Sequence, residues 1–233
     1  FNGLEDMIRS IYDSFDPDIK IEAALGKSFV LTEELKNKIE DTKGVISVIE
    51  VIEDNALVTY RDQQVLVKIK GVDDNFLKLN KLNDFIVSGE MKLKENELDF
   101  AILGYGIDYE LGTVLQSGYP MRISFPRKLR PGSIPSSRSI KRKSIRPAGV
   151  FLIEKEYDEN YVFVPLSFAQ DLMEYGDKRT SLEIEIEESR SISTVAESIR
   201  EKLGDDFKVL DGDAQHSGLL QALQFEKLFL TLK

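Results

Sequence analysis

The spacing of apolar residues predicts alternating helices and strands in the first part of the chain. An apolar stripe with helical spacing predicts a helix over 4–15, which the sequence Asp16-Pro17-Asp18 ends. Alternation then predicts a short strand over 19–23. Thr32 is a typical N-cap, so a second helix is predicted from there to the region of Gly44.

The next segment is rich in β-branched residues and predicts a meander of three strands. The predicted strands cover 45–53, 56–61 and 64–69, separated by the turn-forming pairs Asp54-Asn55 and Asp62-Gln63. A short helix is predicted over 74–79, after which the pattern changes.

The second half alternates strands with short helices. Strands are predicted to end at Gly104 and to cover 121–125, 148–153, 161–164, 181–186 and 207–210, with helices over 105–111, from Pro165 and over 192–203. Glu183, Glu185 and Glu187 alternate with apolar residues, and we interpret them as a solvent-exposed strand face. The last β-α-β unit resembles the first in length and pattern. We therefore predict a discontinuous α+β domain built from both chain ends, with a β-rich domain inserted between them.

Composition places the chain among globular proteins. Its 233 residues are 42% hydrophobic and 31% charged, which argues against disorder. The sequence pI of 4.8 argues against nucleic acid as a ligand of the whole surface, and the absence of cysteine excludes disulfides and thiol chemistry.

Both chain ends carry information about context. The chain opens at Phe1 without a methionine, so we expect a piece of a longer protein. Apolar residues over 219–232 predict either a helix that approaches a membrane or an amphipathic helix that packs on its own core.

Segment 111–153 is cationic in an acidic chain. It carries nine basic residues and no acidic ones, whereas the chain has a formal net charge of −10. The basic residues are Arg122, Arg127, Lys128, Arg130, Arg138, Lys141, Arg142, Lys143 and Arg146. Pro126, Pro131, Pro135 and Pro147 exclude an ordinary helix or a central strand there. The segment is either a solvated loop or a stiffened binding projection, and it has too few aromatic residues to stack nucleic-acid bases.

No motif indicates catalysis. Gly104-Tyr105-Gly106 lacks the third glycine of a dinucleotide loop, and Asp211-Gly212-Asp213 does not continue as a calcium loop. His216 is the single histidine, so a histidine metal cluster is excluded. A hydrolase that uses His216 is left as a formal alternative without a supporting nucleophile motif. We expect no enzyme and no cofactor.

Four motifs give the chain a recognisable pattern. Arg122-Ile-Ser-Phe-Pro126, Ile134-Pro135-Ser136-Ser137-Arg138, Ala101-Ile102-Leu103-Gly104 and Ala148-Gly149-Val150-Phe151 together resemble the LolC/LolE family. These are permease subunits of the lipoprotein-releasing ABC transporter, related to the MacB-type periplasmic core domain. The likeness spans essentially the whole chain, and its motifs are moderately specific.

The resemblance implies a domain layout. It implies a stalk helix over 1–16, a Porter-like subdomain from 17–79 and 178–211, an inserted Sabre-like subdomain over 80–177 with a basic hook-like loop over 122–147, and a second stalk helix over 212–233. The domain would lie in the periplasm, held at the bacterial inner membrane. ATP hydrolysis would belong to a separate LolD-like subunit.

The resemblance also implies partners and a site. A proline-bounded hook would dock a LolA-like lipoprotein carrier, beside a polar pad, in a transporter with a second permease subunit and lipoprotein cargo. Carried over by motif, the hook is Pro126, Arg127, Lys128, Leu129, Arg130, Pro131, Gly132, Ser133, Ile134 and Pro135, and the pad is Arg122, Ser137 and Arg138.

Two departures from the family pattern leave alternatives open. The hook is short and basic, and Ser137 replaces a glutamine of the family. An extra basic segment (139–146) follows the hook, so the hook extends to Pro147 or this member does not recruit the carrier. Anionic lipid head groups are a competing target for the same cations. A MacB-like exporter of peptides or small molecules, which works with an adaptor protein, is the alternative function.

Overall fold

The computed structural model describes residues 15–79, 81–129 and 131–215 and shows an α+β fold. The strands are β1 (Ile19–Ala23), β2 (Phe29–Val30), β3 (Val45–Tyr60), β4 (Gln63–Val72), β5 (Ile86–Gly89), β6 (Lys94–Glu95), β7 (Leu98–Gly104), β8 (Met121–Pro126), β9 (Ile140–Phe151), β10 (Tyr161–Pro165), β11 (Lys178–Arg179), β12 (Ser181–Ile186) and β13 (Phe207–Asp211). The helices are α1 (Glu33–Glu40), α2 (Asp74–Leu79), α3 (Tyr105–Leu111), α4 (Lys155–Asn160), α5 (Leu166–Met173), α6 (Ile192–Leu203) and α7 (Gly212–Gln215).

Several predictions lie outside the described residues. Almost all of the first stalk helix, most of the second, His216 and Arg130 belong to this group. Within the described ranges, no helix has the length and hydrophobicity needed to cross a membrane.

The chain divides into two compact units. Residues 15–48 and 181–215 belong to the first unit, and Ile49–Thr180 form the second. The strand β3 supplies residues 45–48 to the first unit and 49–60 to the second. The predicted boundary between residues 79 and 80 lies inside the second unit. Residues 51–60 of β3 pair with β4 within this unit.

The first unit is a sheet covered by helices α1 and α6. Its central strand β1 pairs antiparallel with β12 on one side and β13 on the other. Thr32 caps α1 as predicted, since its hydroxyl accepts a hydrogen bond from the Leu35 N–H at 3.2 Å. Side chains from the sheet and both helices, such as Ile21, Ile39 and Ile199, form a buried core.

The acidic residues of β12 correct the sequence interpretation. Glu183 and Glu185 are 4% and 9% exposed, so they do not form a solvated face, whereas Glu187 is exposed. The strand register places Lys20 of β1 opposite Glu183, which provides an opposite charge across the strands.

In the second unit, strand pairing closes a ring of six strands. The order around the ring is β3, β4, β10, β7, β9, β8 and back to β3. The ring closes because β9 pairs with β8 through residues 140–145 and with β7 from Arg146 onward. Closure removes most open edges, and the inward side chains form the main core with Phe168 and Leu172 of α5.

The predicted three-strand meander is wrong: β3 and β4 form one long hairpin. Asp54 and Asn55 do not turn the chain, because they pair in register with Ile69 and Lys68. The Asp54 carboxylate accepts a hydrogen bond from the Tyr175 hydroxyl at 3.1 Å. Burial, and then this carboxylate, raises the pKa of Tyr175 to about 12. Tertiary contacts therefore override a local turn signal.

The strand β9 corrects the predicted hook-like loop over 122–147. It begins at Ile140, eight residues before the predicted start, so the extra basic segment (139–146) is mostly strand. Pro147 is tolerated because the register between β7 and β9 is irregular directly after it. The loop between β8 and β9 is therefore confined to residues 127–139.

The close contact between β4 and α5 gives a first testable prediction. A Cβ atom added at Gly71 would lie 2.4 Å from the Ala169 Cβ, so Gly71→Ala forces the helix away from the sheet. We expect a loss of about 1–3 kcal/mol in the free energy of unfolding of the second unit, measured by urea denaturation. Gly212→Ala is the matched control, because no atom lies within 4 Å of its added Cβ. Equal stability of the two variants would contradict the prediction.

Candidate partner interface

The candidate site is the hairpin formed by β8 and β9. In this ribbon Arg122 pairs with Ser144, and Ser124 pairs with Arg142. On its other side β8 pairs with β3, where Thr59 lies opposite Arg122. Because successive side chains of a strand point to opposite faces, the ribbon has an inner face and an outer face.

The basic residues of the ribbon are divided between its two faces. Residues 121, 123 and 145 are buried on the inner face, and Lys141 and Lys143 are partly buried there. Arg122, Arg142 and Arg146 are exposed on the outer face; we call these three residues the arginine face. The sequence alone assigns no role to Arg142, because the consecutive basic residues Lys141, Arg142 and Lys143 show no alternation that would reveal a strand.

The inner lysines form ion pairs with Asp171 of α5. Lys143 Nζ lies 2.7 Å from Asp171 Oδ2 and 4.5 Å from the centre of the Phe168 ring. Lys141 Nζ lies 2.9 Å from Asp171 Oδ1 and also donates to the Asp171 backbone carbonyl. These ammonium groups lie near the C-terminal end of the helix, where its dipole favours positive charge.

The outer cations have no such partners. In the part of the chain that the structure describes, no ion pair is formed by the three residues of the arginine face. The same holds for Lys128 and Arg138 among the described residues. Arg127 does have an acidic partner, since its Nε lies 3.7 Å from Glu174 Oε1. The positive charge available to a partner is therefore mostly arginine, which binds carboxylates through two parallel hydrogen bonds.

Hydrogen bonds close the base of the loop that contains the hook. The Arg127 N–H donates to the Ser139 carbonyl at 2.8 Å, and a short 3-10 helix spans Ser137–Ser139. The side chains of Ser136 and Ser139 cap this turn reciprocally. The loop therefore leaves the ribbon from a fixed base.

The structure brings some predicted site residues together. Arg142 Nη1 donates to the Ser137 carbonyl at 3.4 Å, which joins the arginine face to the pad. Arg138 is exposed in the same turn. The described hook residues are all exposed, and Leu129 and Ile134 are 44% and 88% accessible.

Among the described residues, no group of three or more histidine, cysteine, aspartate or glutamate side chains is placed to hold a metal ion.

Comparison with solved structures identifies the class of fold. No protein-family model and no curated protein matches the chain. The chain is similar to the extracellular domain of the noncanonic ABC-type transporter YknZ from Gram-positive bacteria, with 14% identity and a TM-score of 0.54 over 83% of this chain and 99% of that one. It is also similar to the periplasmic region of MacB from Actinobacillus actinomycetemcomitans, with 11% identity and a TM-score of 0.59 over 89% of this chain and 94% of that one.

These similarities establish the fold. The predicted α+β class is confirmed, and it is the fold of the extracytoplasmic domains of these two transporters.

The contact between the lysines and α5 gives a second testable prediction. Hydrogen bonds from Lys143 and then Lys141 lower the pKa of the Asp171 carboxyl. Because the folded-state pKa is depressed, the contact stabilises the fold above the ordinary carboxyl pKa and loses that contribution as pH falls through the folded-state pKa. In Lys143→Met we expect the Asp171 pKa to rise toward its ordinary value in a carbon-13 NMR titration.

Lys155→Met is the matched control, because Lys155 is exposed on α4 and forms no contact with Asp171. An Asp171 titration midpoint that is the same in both variants and the unmodified protein would refute the assignment.

Proposed function

We propose that the chain is the periplasmic domain of an ABC transporter permease subunit, held at the bacterial inner membrane. The supporting observations are the fold that it shares with the YknZ and MacB domains and the four motifs that resemble the LolC/LolE family. In this proposal the domain is not an enzyme. ATP hydrolysis takes place on a separate LolD-like subunit, reached through the membrane part of the permease.

The proposed role of the hook and pad is to dock a LolA-like carrier that accepts lipoprotein cargo. The observation that carries this proposal is the exposed loop of the β8–β9 hairpin. Its two apolar side chains, Leu129 and Ile134, are flanked by cations that the described acidic residues leave largely unpaired. A carrier with an apolar cavity and an acidic rim complements this surface.

The fixed base of the loop favours docking energetically. Ordering a flexible loop on binding costs conformational entropy, and the hydrogen bond between Arg127 and Ser139 reduces that cost. Transfer of the Ile134 side chain from water into an apolar cavity contributes about 1.5–3 kcal/mol when burial is complete. The arginines add charge-assisted hydrogen bonds and faster association.

Charge reversal in the pad tests the carrier proposal. We expect Arg122→Glu combined with Arg138→Glu to abolish capture of a LolA-like carrier in calorimetry, because both changes place repulsive charge on the docking surface. Lys155→Glu combined with Lys208→Glu is the matched control, since both lysines are exposed and lie outside the hairpin. If the pad variant captures the carrier with the same affinity as the control, the pad is not part of the interface.

The apolar tip gives a separate test. Ile134→Asp changes a side chain that is 88% exposed, so the melting temperature should not fall. Carrier affinity should fall at least about tenfold, because a carboxylate resists transfer into an apolar cavity. Leu25→Asp is the matched control, because Leu25 lies in the first unit and is 90% exposed. Full affinity of the Ile134 variant would show that the hook does not enter the carrier.

The alternative is a MacB-like exporter of peptides or small molecules, favoured by the TM-score of 0.59 with the MacB periplasmic region. This alternative expects binding to a membrane-fusion adaptor and no capture of a carrier. A pull-down with a LolA-like carrier and an adaptor as separate baits distinguishes the two functions. Adaptor binding that survives the pad substitutions, together with absent carrier binding, would favour the exporter.

A further inference from the structure

Glu174 lies directly after α5, at a position that suits a glutamate poorly. Its φ angle is 57°, in the left-handed region that favours glycine, and its backbone N–H donates to the Gln170 carbonyl where the helix ends. The C-terminal end of a helix also carries partial negative charge, which repels a carboxylate. Two local costs therefore oppose a glutamate here, and residues with such backbone strain cluster at functional sites.

The carboxylate of Glu174 bridges the two strands of the β8–β9 hairpin at the base of the loop. Its Oε1 lies 3.7 Å from Arg127 Nε and 4.0 Å from Lys141 Nζ. Arg127 is the first residue after β8, and Lys141 is the second residue of β9. One carboxylate therefore connects the end of α5 to both sides of the loop that contains the hook.

Arg127 depends on this contact more than Lys141 does. Lys141 is held a second time, because its Nζ lies 2.9 Å from Asp171 Oδ1. Among the described residues, Glu174 is the only acidic side chain that forms an ion pair with Arg127 or with any other residue of the hook. The Arg127 backbone N–H donates to the Ser139 carbonyl at 2.8 Å, so the ion pair and the bond that closes the loop fix the same residue.

The stability of the fold does not account for Glu174. Its side chain and that of Arg127 are 49% and 47% exposed, and exposed ion pairs contribute little to global stability. A glycine at this position would remove the backbone strain and the repulsion from the helix end. The advantage of the glutamate is therefore local order at the base of the loop.

We propose that Glu174 is a positioning residue for the hook, whose carboxylate holds Arg127 and the base of the loop against the end of α5. A base that is already ordered lowers the entropy cost of docking a partner. The order at the base is a property of the free protein. Its consequence for carrier affinity rests on the proposed function, so the two are tested separately.

Amide hydrogen exchange at Arg127 tests the positioning role without any partner. We expect Glu174→Gln to raise the exchange rate of this amide about two- to fivefold, because an exposed ion pair contributes an effect of this size. The difference between this variant and the unmodified chain should disappear in 1 M sodium chloride, where the Debye length is about 3 Å.

A pair of glycine variants separates positioning from strain. Glu174→Gly relieves the strain and removes the carboxylate, so Arg127 exchange should rise while the melting temperature does not fall. Glu97→Gly is the matched control, because Glu97 is also an exposed glutamate with a positive φ angle, 66°, and forms no ion pair with the hook. This control relieves similar strain in the turn between β6 and β7, and Arg127 exchange should not change.

Calorimetry with a LolA-like carrier tests the functional consequence. Glu174→Gln should lower the carrier affinity about two- to fivefold, because the free protein then orders the base of the loop only on binding. Glu97→Gln should leave the affinity unchanged. If the unmodified chain binds no carrier, the proposed function fails, and the exchange measurement still decides the role of Glu174.

Two results would overturn the positioning role. The first is an Arg127 exchange rate that is the same in Glu174→Gln and the unmodified chain at low salt. The second is a carrier affinity that rises in Glu174→Gln, which would show that Glu174 competes with the carrier for Arg127. If Glu174→Gly does not fold, the glutamine variant and the salt dependence decide the question.

Discussion

The change of partner along β9 is the constraint on which the second unit depends. A single strand pairs with β8 through residues 140–145 and with β7 from Arg146, and this closes the ring of six strands. Pro147 marks the irregular point, where a residue without an N–H is tolerated. The same change of partner holds the β8–β9 hairpin, which carries the hook, in the ring.

Strand alternation separates the cations of the β8–β9 hairpin into a partly buried group and an exposed group. Cations on the inner face meet Asp171 of α5 and Glu174, the residue directly after this helix, so partial burial of Lys141 and Lys143 is compensated. Cations on the outer face stay solvated and available. An arginine that is already ion-paired must break that pair before it binds a partner, whereas Arg122 and Arg142 have none to break among the described residues. The inner lysines therefore contribute to stability, while the outer arginines are available to bind a partner.

Sequence patterns predicted many elements but not how all the strands pair. The strand β1, the helices α2 and α6 and the strand β12 have the predicted bounds, because each follows a local period or cap. The errors arose where tertiary contacts outweigh a local signal. Asp54 pairs with Ile69 in a continuous strand and accepts a hydrogen bond from Tyr175, and Lys20 lies opposite the buried Glu183. Neither partner is close in sequence, so no local window contains the information.

The candidate site could be predicted only in part, because some of its features are local in sequence and others depend on strand pairing. Prolines exclude a helix in this loop without any structure, and the hook itself is predicted from the resemblance to the LolC/LolE family. The role of the extra basic segment depends on pairing, because only the register with β8 separates Lys143 on the inner face from Arg142 on the outer face.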